Sequence, residues 1–353
     1  MESDETVLYV TTRSKHDAYT AARTMNLDRG PDGGLFIPFH LPQLSREEIA
    51  ALGGKTFGQN VAEILNLFFS TKLSGWDVDM AVGRNPIRFK SMNYRMIVSE
   101  LWHNMDRHFG YLINALAAKV HPDGEIIGAP SNWVQCAVRI AVLFGVYGEL
   151  VRTEQLRSGA TLDIAVASGT FAAPMAAWYA RKMGLPVGTI ICGCNENSAP
   201  WDLLHRGELD TDAQAVQTNT PEGDLTLPLD MERLICETCG QEEALHYFWS
   251  CTEGSVYAPS ELAYEQMRKG MFAAVVSRVR VETIIPSVYR TNQYILDPYS
   301  ALAYGALSDF RSRTGGSGMA LLLCEKSPLC NGEAVARFMR ISVEELIKRV
   351  SEA

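Results

Sequence analysis

Positive charge is scarce in this sequence: its 353 residues carry 32 Lys and Arg against 41 Asp and Glu, a formal net charge of −9. That balance argues against a nucleic-acid partner, whose phosphates call for basic patches. Long apolar runs are missing as well. None approaches the ~18 residues that a membrane span needs. The acidic start Met1-Glu2-Ser3-Asp4-Glu5 leads into no apolar stretch of the signal-peptide kind. A cytoplasmic protein with no membrane partner is expected. There are no internal repeats and no low-complexity tract. The histidines, His16, His40, His103, His108, His121, His205 and His246, show no metal-ligand spacing, and His103 and His108 do not share a helix face. G-x-S-x-G, Walker A and G-x-G-x-x-G strings are absent. No metal site is expected.

What is present suits a globular chain of about two domains. Apolar residues make up 47% and charged residues 21%, enough for a sizeable core. The eight cysteines, without an export signal, read as reduced thiols. Cys236-Glu237-Thr238-Cys239 and Cys192-Gly193-Cys194 can be drawn together as a zinc site. Cys192 ends an apolar strand, however, and 236–239 falls in a helix-like stretch, so core thiols are the favoured reading.

The pattern along the chain is α/β. Residues 7–12 read as an opening strand and 15–26 as a helix. Pro31-Asp32-Gly33-Gly34 is a tight-turn signature. Ser45 and Glu48 form a capping box, and 57–70 is a further helix. A long helical region is expected from Lys90 to about Lys119, broken by His121-Pro122-Asp123-Gly124, with another helix over 132–150. Residues 162–166 form a buried-type strand that passes through Ser168-Gly169-Thr170 into a helix over 171–183, and 187–192 is the next strand. Mostly helical sequence follows until a late strand at 319–324.

Three places could carry chemistry, the third being Asp297-Pro298-Tyr299-Ser300-Ala301 followed by Leu321-Leu322-Leu323-Cys324-Glu325-Lys326-Ser327-Pro328, neither of which is a chemical motif by itself. Ser168-Gly169-Thr170-Phe171 lies where a strand hands over to a helix. Backbone N–H groups at a helix N-terminus make a natural phosphate cradle, and the hydroxyls add donors. The same string also reads as an ordinary strand–helix turn. Lys90 stands at the expected start of a helix. A desolvated lysine near positive charge suits imine chemistry, and a solvated surface lysine is the plainer alternative.

The order of these segments resembles the threonine synthase family of pyridoxal-phosphate (PLP) enzymes. Thr11-Thr12-Arg13 followed by Pro31-Asp32-Gly33-Gly34-Leu35-Phe36-Ile37-Pro38 is similar to its N-terminal domain. Arg88-Phe89-Lys90-Ser91 resembles the family's Ala-Phe-Lys-Asp. Pro130-Ser131-Asn132-Trp133 with Arg139 resembles its Asn-Ser-Ile-Asn-Trp-Ala-Arg helix. Ser168-Gly169-Thr170-Phe171-Ala172 resembles its phosphate loop, Asp230-Met231-Glu232-Arg233-Leu234 its Ser-Asn-Phe-Glu-Arg-Leu, and Leu296-Asp297-Pro298-Tyr299-Ser300-Ala301 its Ile-Asp-Pro-His-Thr-Ala.

The resemblance implies an α/β fold of the tryptophan-synthase-β type (fold type II). Residues 1–85 would form a small N-terminal domain, 86–130 a mostly helical remnant of the small PLP-side sub-domain, and 131–353 the large domain. It implies PLP as cofactor, with the internal imine on Lys90. Ser168, Gly169, Thr170, Phe171 and Ala172 would hold the phosphate, Cys324 or Glu325 would stand by the pyridine nitrogen, and Arg88, Asn132, Arg139 and Arg233 would face an amino-acid substrate. The chain departs from the family in three ways. Only 41 residues separate Lys90 from Asn132, too few for a layered sub-domain. Ala172 adds a methyl and disfavours positive φ where the family has Gly. The family's Ser-Gly-Asp-Thr-Gly loop is absent. Two readings follow: a PLP-dependent lyase of amino-acid metabolism performing β/γ-elimination or replacement, or a degenerate relative that binds or scaffolds. A helix over 102–119, with Met105, Phe109, Leu112, Ile113 and Leu116 on one stripe, is expected to cover the face left by the lost sub-domain or to pair with a second copy.

Overall fold

The opening strand β1 (Leu8–Thr11) is rich in residues that favour a pleated surface. It pairs antiparallel with β2 (Tyr19–Thr20) on one side and β3 (Phe36–Pro38) on the other. The computed structural model describes residues 7–84, 86–93, 95–102, 108–121 and 132–352. Helix α1 (Ala21–Asn26) is shorter than the helix expected from Lys15. The sheet takes Tyr19 and Thr20, and the Thr20 hydroxyl then caps the helix by accepting from the Arg23 N–H. Capping boxes start the next three helices: Ser45 with Glu48 for α2 (Arg46–Ala51), Thr56 with Gln59 for α3 (Phe57–Phe69), and Ser74 with Asp77 for α4 (Gly75–Val82).

The segment after α4 corrects the sequence reading. The segments 88–92 and 96–100 are strands where helix was expected. They form an antiparallel hairpin, β4 (Arg88–Met92) and β5 (Met96–Glu100), turned through Asn93 and Arg95. The Lys, Met, Arg and Glu side chains of this stretch suit a helix, but Ile97 and Val98 pair into the main sheet and tertiary pairing prevails. The next helix among the described residues is α5 (His108–Val120). Leu112, Ile113 and Leu116 are buried there, as the stripe requires. Met105 and the Phe109 side chain lie outside the described residues. α5 packs on α4, on α1 and on α6 (Asn132–Arg152), so what it covers is the N-terminal helical layer.

α6 is apolar on nearly every side. It is long and apolar enough by composition to cross a membrane, yet most of it is buried inside the protein, enclosed by α3, α5 and α7 (Ala172–Lys182). The strand–helix–strand unit read from the sequence is present as β6 (Leu162–Ala167), α7 and β7 (Val187–Cys194). Beyond it come the short α8 (Ala199–Trp201), β8 (Leu209–Asp210), α9 (Met231–Cys239), α10 (Gln241–Glu253), β9 (Val256–Tyr257) and α11 (Glu261–Met267). The chain closes with β10 (Met271–Val275), α12 (Arg278–Asn292), α13 (Pro298–Thr314), β11 (Ala320–Cys324), α14 (Gly332–Met339) and α15 (Val343–Glu352).

The main sheet has six strands in the order β10-β7-β6-β11-β5-β4, all parallel except the edge strand β4. Alternate residues feed two cores. Ile97, Ile164, Val166, Leu321 and Leu323 face α6 and α7, while Val98, Ala165, Leu322 and Cys324 face α12, α13 and α14. After β6 the chain runs into α7 on the first face. After the neighbouring β11 it runs into α14 on the second. Adjacent parallel strands whose continuations leave to opposite faces open a crevice at their carboxyl ends, the usual ligand position in such sheets.

Leu116 is fully buried. Leu116→Ala should therefore lower unfolding free energy by about 2–5 kcal/mol in urea melts, while Asn114→Ala, on the exposed side of the same helix, stays near wild type. A Leu116 variant that melts like wild type would place the stripe in solvent.

Candidate functional site

β6 delivers Ala167 to the carboxyl edge, and a tight turn follows. The Ser168 N–H donates to the Gly193 carbonyl at 2.8 Å, and the Phe171 N–H donates back to the Ser168 carbonyl at 2.6 Å. Two residues take left-handed conformations, Gly169 at φ +44° and Phe171 at φ +70°. An aromatic residue there is strained by roughly 1–3 kcal/mol, a cost that clusters at functional sites. The buried Phe171 ring offsets it in the core. Ala172 is the first residue of α7 and has ordinary helical backbone, so its methyl imposes no strain on the turn.

α7 has no side-chain cap. Among the described residues the N–H groups of Gly169, Thr170, Ala172 and Ala173 have no backbone acceptor, and Pro174 has no N–H to offer. Ser168 is only 4% exposed, lines the crevice and has no protein partner for its hydroxyl among the described residues. Free backbone donors at a positive helix end, beside an unpartnered buried hydroxyl, form an anion cradle.

The cradle opens on a cavity of about 450 Å³, within the roughly 300–1,000 Å³ of small-molecule sites. β11 brings Leu323, Glu325 and Lys326 to it. The start of α13 brings Tyr299 and Ser300, the turn at 221–223 brings Glu222, and α6 brings Arg139. Arg139 Nε donates to Glu325 Oε1 at 3.2 Å, and this carboxylate holds the guanidinium firmly charged. Lys326 pairs with Glu222 and lies over the Tyr299 ring, 4.6 Å from its centroid. Beneath the floor, Asp297 caps α13 through the Tyr299 and Ser300 N–H groups and accepts from the Ser300 hydroxyl. Burial pushes the Asp297 carboxyl up to about 6.

The crevice gathers part of the expected set. Ser168, Gly169, Thr170, Ala172, Arg139 and Glu325 line it. Phe171 turns its ring into the core, and Cys324 is buried on the second face, its thiol pushed up by burial and by Asp297. Arg233, expected at a substrate, is fully buried; it pairs with Asp230 and donates from Nε to the Phe36 carbonyl at 3.0 Å. Arg88 pairs with Glu100 at 2.6 Å on the hairpin. The Asn132 side chain lies outside the described residues.

Lys90 is absent from the lining. It sits on the edge strand opposite Val98, half-buried, on the second face of the sheet. β4 is three strands from β6, roughly 14 Å, and Lys90 lies two residues, about 7 Å, below the carboxyl edge. The sequence offers Tyr299, Ser300 and Lys326 within its third candidate place without a role for any of them, and it does not point to Glu222. The one signal was the Asp297-Pro298-x-Ser300 cap, which fixes where α13 starts.

Comparison with known proteins supports the resemblance. The family model "Threonine synthase N terminus" matches residues 8–84. Threonine synthase-like 1 of Macaca fascicularis is 27% identical over 184 residues, covering 49% of this chain and 24% of that protein. The chain thus spans about a quarter of the length of the curated relatives it matches first. Threonine synthase of Pseudomonas aeruginosa is 21% identical over 406 aligned positions, covering 86% of this chain and 84% of that enzyme. The PLP-bound threonine synthase of Brucella melitensis superposes with a TM-score of 0.83 at 17% identity, over 98% of this chain and 94% of that one. The yeast enzyme gives 0.80 at 16%, with the same coverage. The chain thus has the threonine synthase fold and an N-terminal region that matches that family's model, and it diverges from those enzymes in sequence. Its divergence includes length: 86% of 353 residues is about 304, so about 100 of the 406 positions aligned with the Pseudomonas synthase have no residue here.

The threonine synthase fold implies PLP, and the crevice fits that group unevenly. The phosphate suits the cradle, with its unpartnered Ser168 hydroxyl and four free N–H groups. The aldehyde requires an amine. The chain has nine lysines, all among the described residues. Lys326 lines the cavity, and Lys90 is not among the lining residues.

The Asp297 shift has a measurable sign. A buried carboxyl with a raised pKa favours the folded state most below its unfolded value near 3.9, and that contribution is lost as pH rises through about 6. Asp297→Asn keeps the cap acceptor and removes the charge. The variant should gain on wild type by up to about 3 kcal/mol between pH 4 and 7 in urea melts. A stability difference that stays flat with pH would contradict the buried carboxyl.

Proposed function

We propose that this threonine synthase relative binds a phosphorylated small molecule in the crevice between β6 and β11, and that it does not run lysine chemistry at Lys90. In this reading it is a binding or scaffold protein built on the family fold. The observation that carries it is the pairing of an intact cradle with a displaced Lys90. Among the described residues the N–H groups of Gly169, Thr170, Ala172 and Ala173, next to the Ser168 hydroxyl, have no protein acceptor, while Lys90 stands on the far edge strand. PLP is the first ligand to consider, since the cradle suits its phosphate. An amino acid with a phosphorylated side chain is the second, its carboxylate facing Arg139. When bound, PLP supplies an electron sink for carbanions at the amino-acid α-carbon. This chain's own groups would fix the phosphate through Ser168 and the α7 N-terminus, and Arg139, already committed to Glu325, would set the charge of the back wall. A PLP-dependent lyase remains the second reading, and the amine of Lys326 in the same cavity is what favours it.

Thermal melts with inorganic phosphate, PLP and unphosphorylated pyridoxal test the site. PLP and phosphate should raise the melting temperature and pyridoxal should not. Ser168→Ala should weaken PLP binding about tenfold or more, the loss of one hydrogen bond to a charged group. Equal effects from PLP and pyridoxal, or none from either phosphorylated probe, would remove the phosphate site.

A further inference from the structure

We infer that Lys326 is the reactive amine of this crevice, placed to capture the carbonyl group of a ligand whose phosphate sits in the 168–173 cradle. The inference rests on the phosphate-site reading and adds the covalent step. Three observations carry it. Lys326 alone among the nine lysines lines the cavity. It follows β11, which runs parallel to β6 with Leu322 opposite Ala165, so it and the cradle both spring from the carboxyl edge of neighbouring strands and line one cavity. Its ammonium is held and partly shielded: the side chain is 26% exposed, paired with Glu222 and packed over the Tyr299 ring.

The pair with Glu222 gives the proton a route in both directions. The Lys326 ammonium passes a proton to the Glu222 carboxylate. The freed Nζ lone pair attacks the carbonyl carbon, a carbon–nitrogen bond forms, and a proton moves from nitrogen to the former carbonyl oxygen. Glu222 then returns its proton to that oxygen, which leaves as water while the carbon–nitrogen double bond closes. The products are one protonated imine on Lys326, one water and a carboxylate beside the positive nitrogen. No oxidant or reductant is consumed. Glu222 is a general base and then a general acid in this sequence. The Tyr299 ring face favours the cation at each end of it.

The experiment is borohydride trapping of the full chain after incubation with PLP, read by peptide mass mapping and by absorbance. The expected result is one pyridoxyl group per chain on Lys326. Inorganic phosphate should suppress it at least about fivefold, and Lys326→Arg, which keeps the charge beside Glu222, should lower total labelling about tenfold. The Lys326→Arg chain must still be stabilised by phosphate, which separates loss of the amine from loss of the fold or the cradle. Labelling on Lys90, or spread over the surface lysines, in a chain that phosphate stabilises would overturn the assignment to Lys326 and leave the phosphate site standing. No stabilisation of wild type by phosphate or PLP would instead sink the phosphate site, and this inference with it.

Discussion

One buried guanidinium joins the parts of this molecule. Arg233, at the start of α9, pairs with Asp230, reaches the Phe36 carbonyl of β3 and lies over the Trp133 ring of α6, 5.7 Å from its centroid. Asp230 donates its own N–H to the Thr170 carbonyl at 3.0 Å. The N-terminal sheet, the central helix and the anion cradle therefore meet at one ion pair. Two charges taken from water at several kcal/mol each tolerate the loss of neither partner, and breaking such a pair costs about 3–5 kcal/mol. The residue before Arg233 repeats the design. Glu232 accepts from the Thr12 hydroxyl at 2.5 Å and pairs with Arg13 at 3.0 Å. The small domain is thus a brace for the turn that faces the crevice, and the cradle's geometry depends on residues more than 130 positions away in the chain.

Much of the fold was legible because local signals and tertiary structure agree. Capping boxes at Ser45, Thr56 and Ser74 start helices where their hydroxyls say they should. The apolar, β-branched run 162–166 ends in a turn that no helix could tolerate earlier, so the strand–turn–helix was plain. The hairpin at 88–100 was not plain. Its side chains are long and flexible, and the residues that decide its state are Ile97 and Val98, which pair with Leu321 and Leu322 more than 200 positions later. Nothing local encodes a partner at that distance.

The site divides the same way. The cradle is contiguous in sequence, so Ser168, Gly169 and Thr170 could be read directly. The rest of the wall comes from four other segments brought together at the point where β6 and β11 part. Lys326 and Glu222 are about a hundred residues apart, and each alone looks like a solvated surface charge. Lys90 stands differently. Its four-residue surroundings resemble a catalytic string, and the strand that carries it is the edge strand of the sheet, outside the crevice lining. The same holds for Arg233, whose charge suggested a substrate and whose environment makes it a structural tie.

The edge strand gives Lys90 a different significance. A parallel sheet that ends in an unpaired strand offers a row of free N–H and C=O groups to any other extended chain, and natural sheets blunt that row with charge. β4 carries Arg88 and Lys90 on one face of the outermost strand, with Ser91 exposed beside them. A second sheet laid against this margin would have to strip water from Lys90 and crowd the Arg88–Glu100 pair before its first ladder bond formed. Among the described residues, the lysine whose surroundings resemble a catalytic string stands on the outer margin of the sheet, where charge works against strand addition.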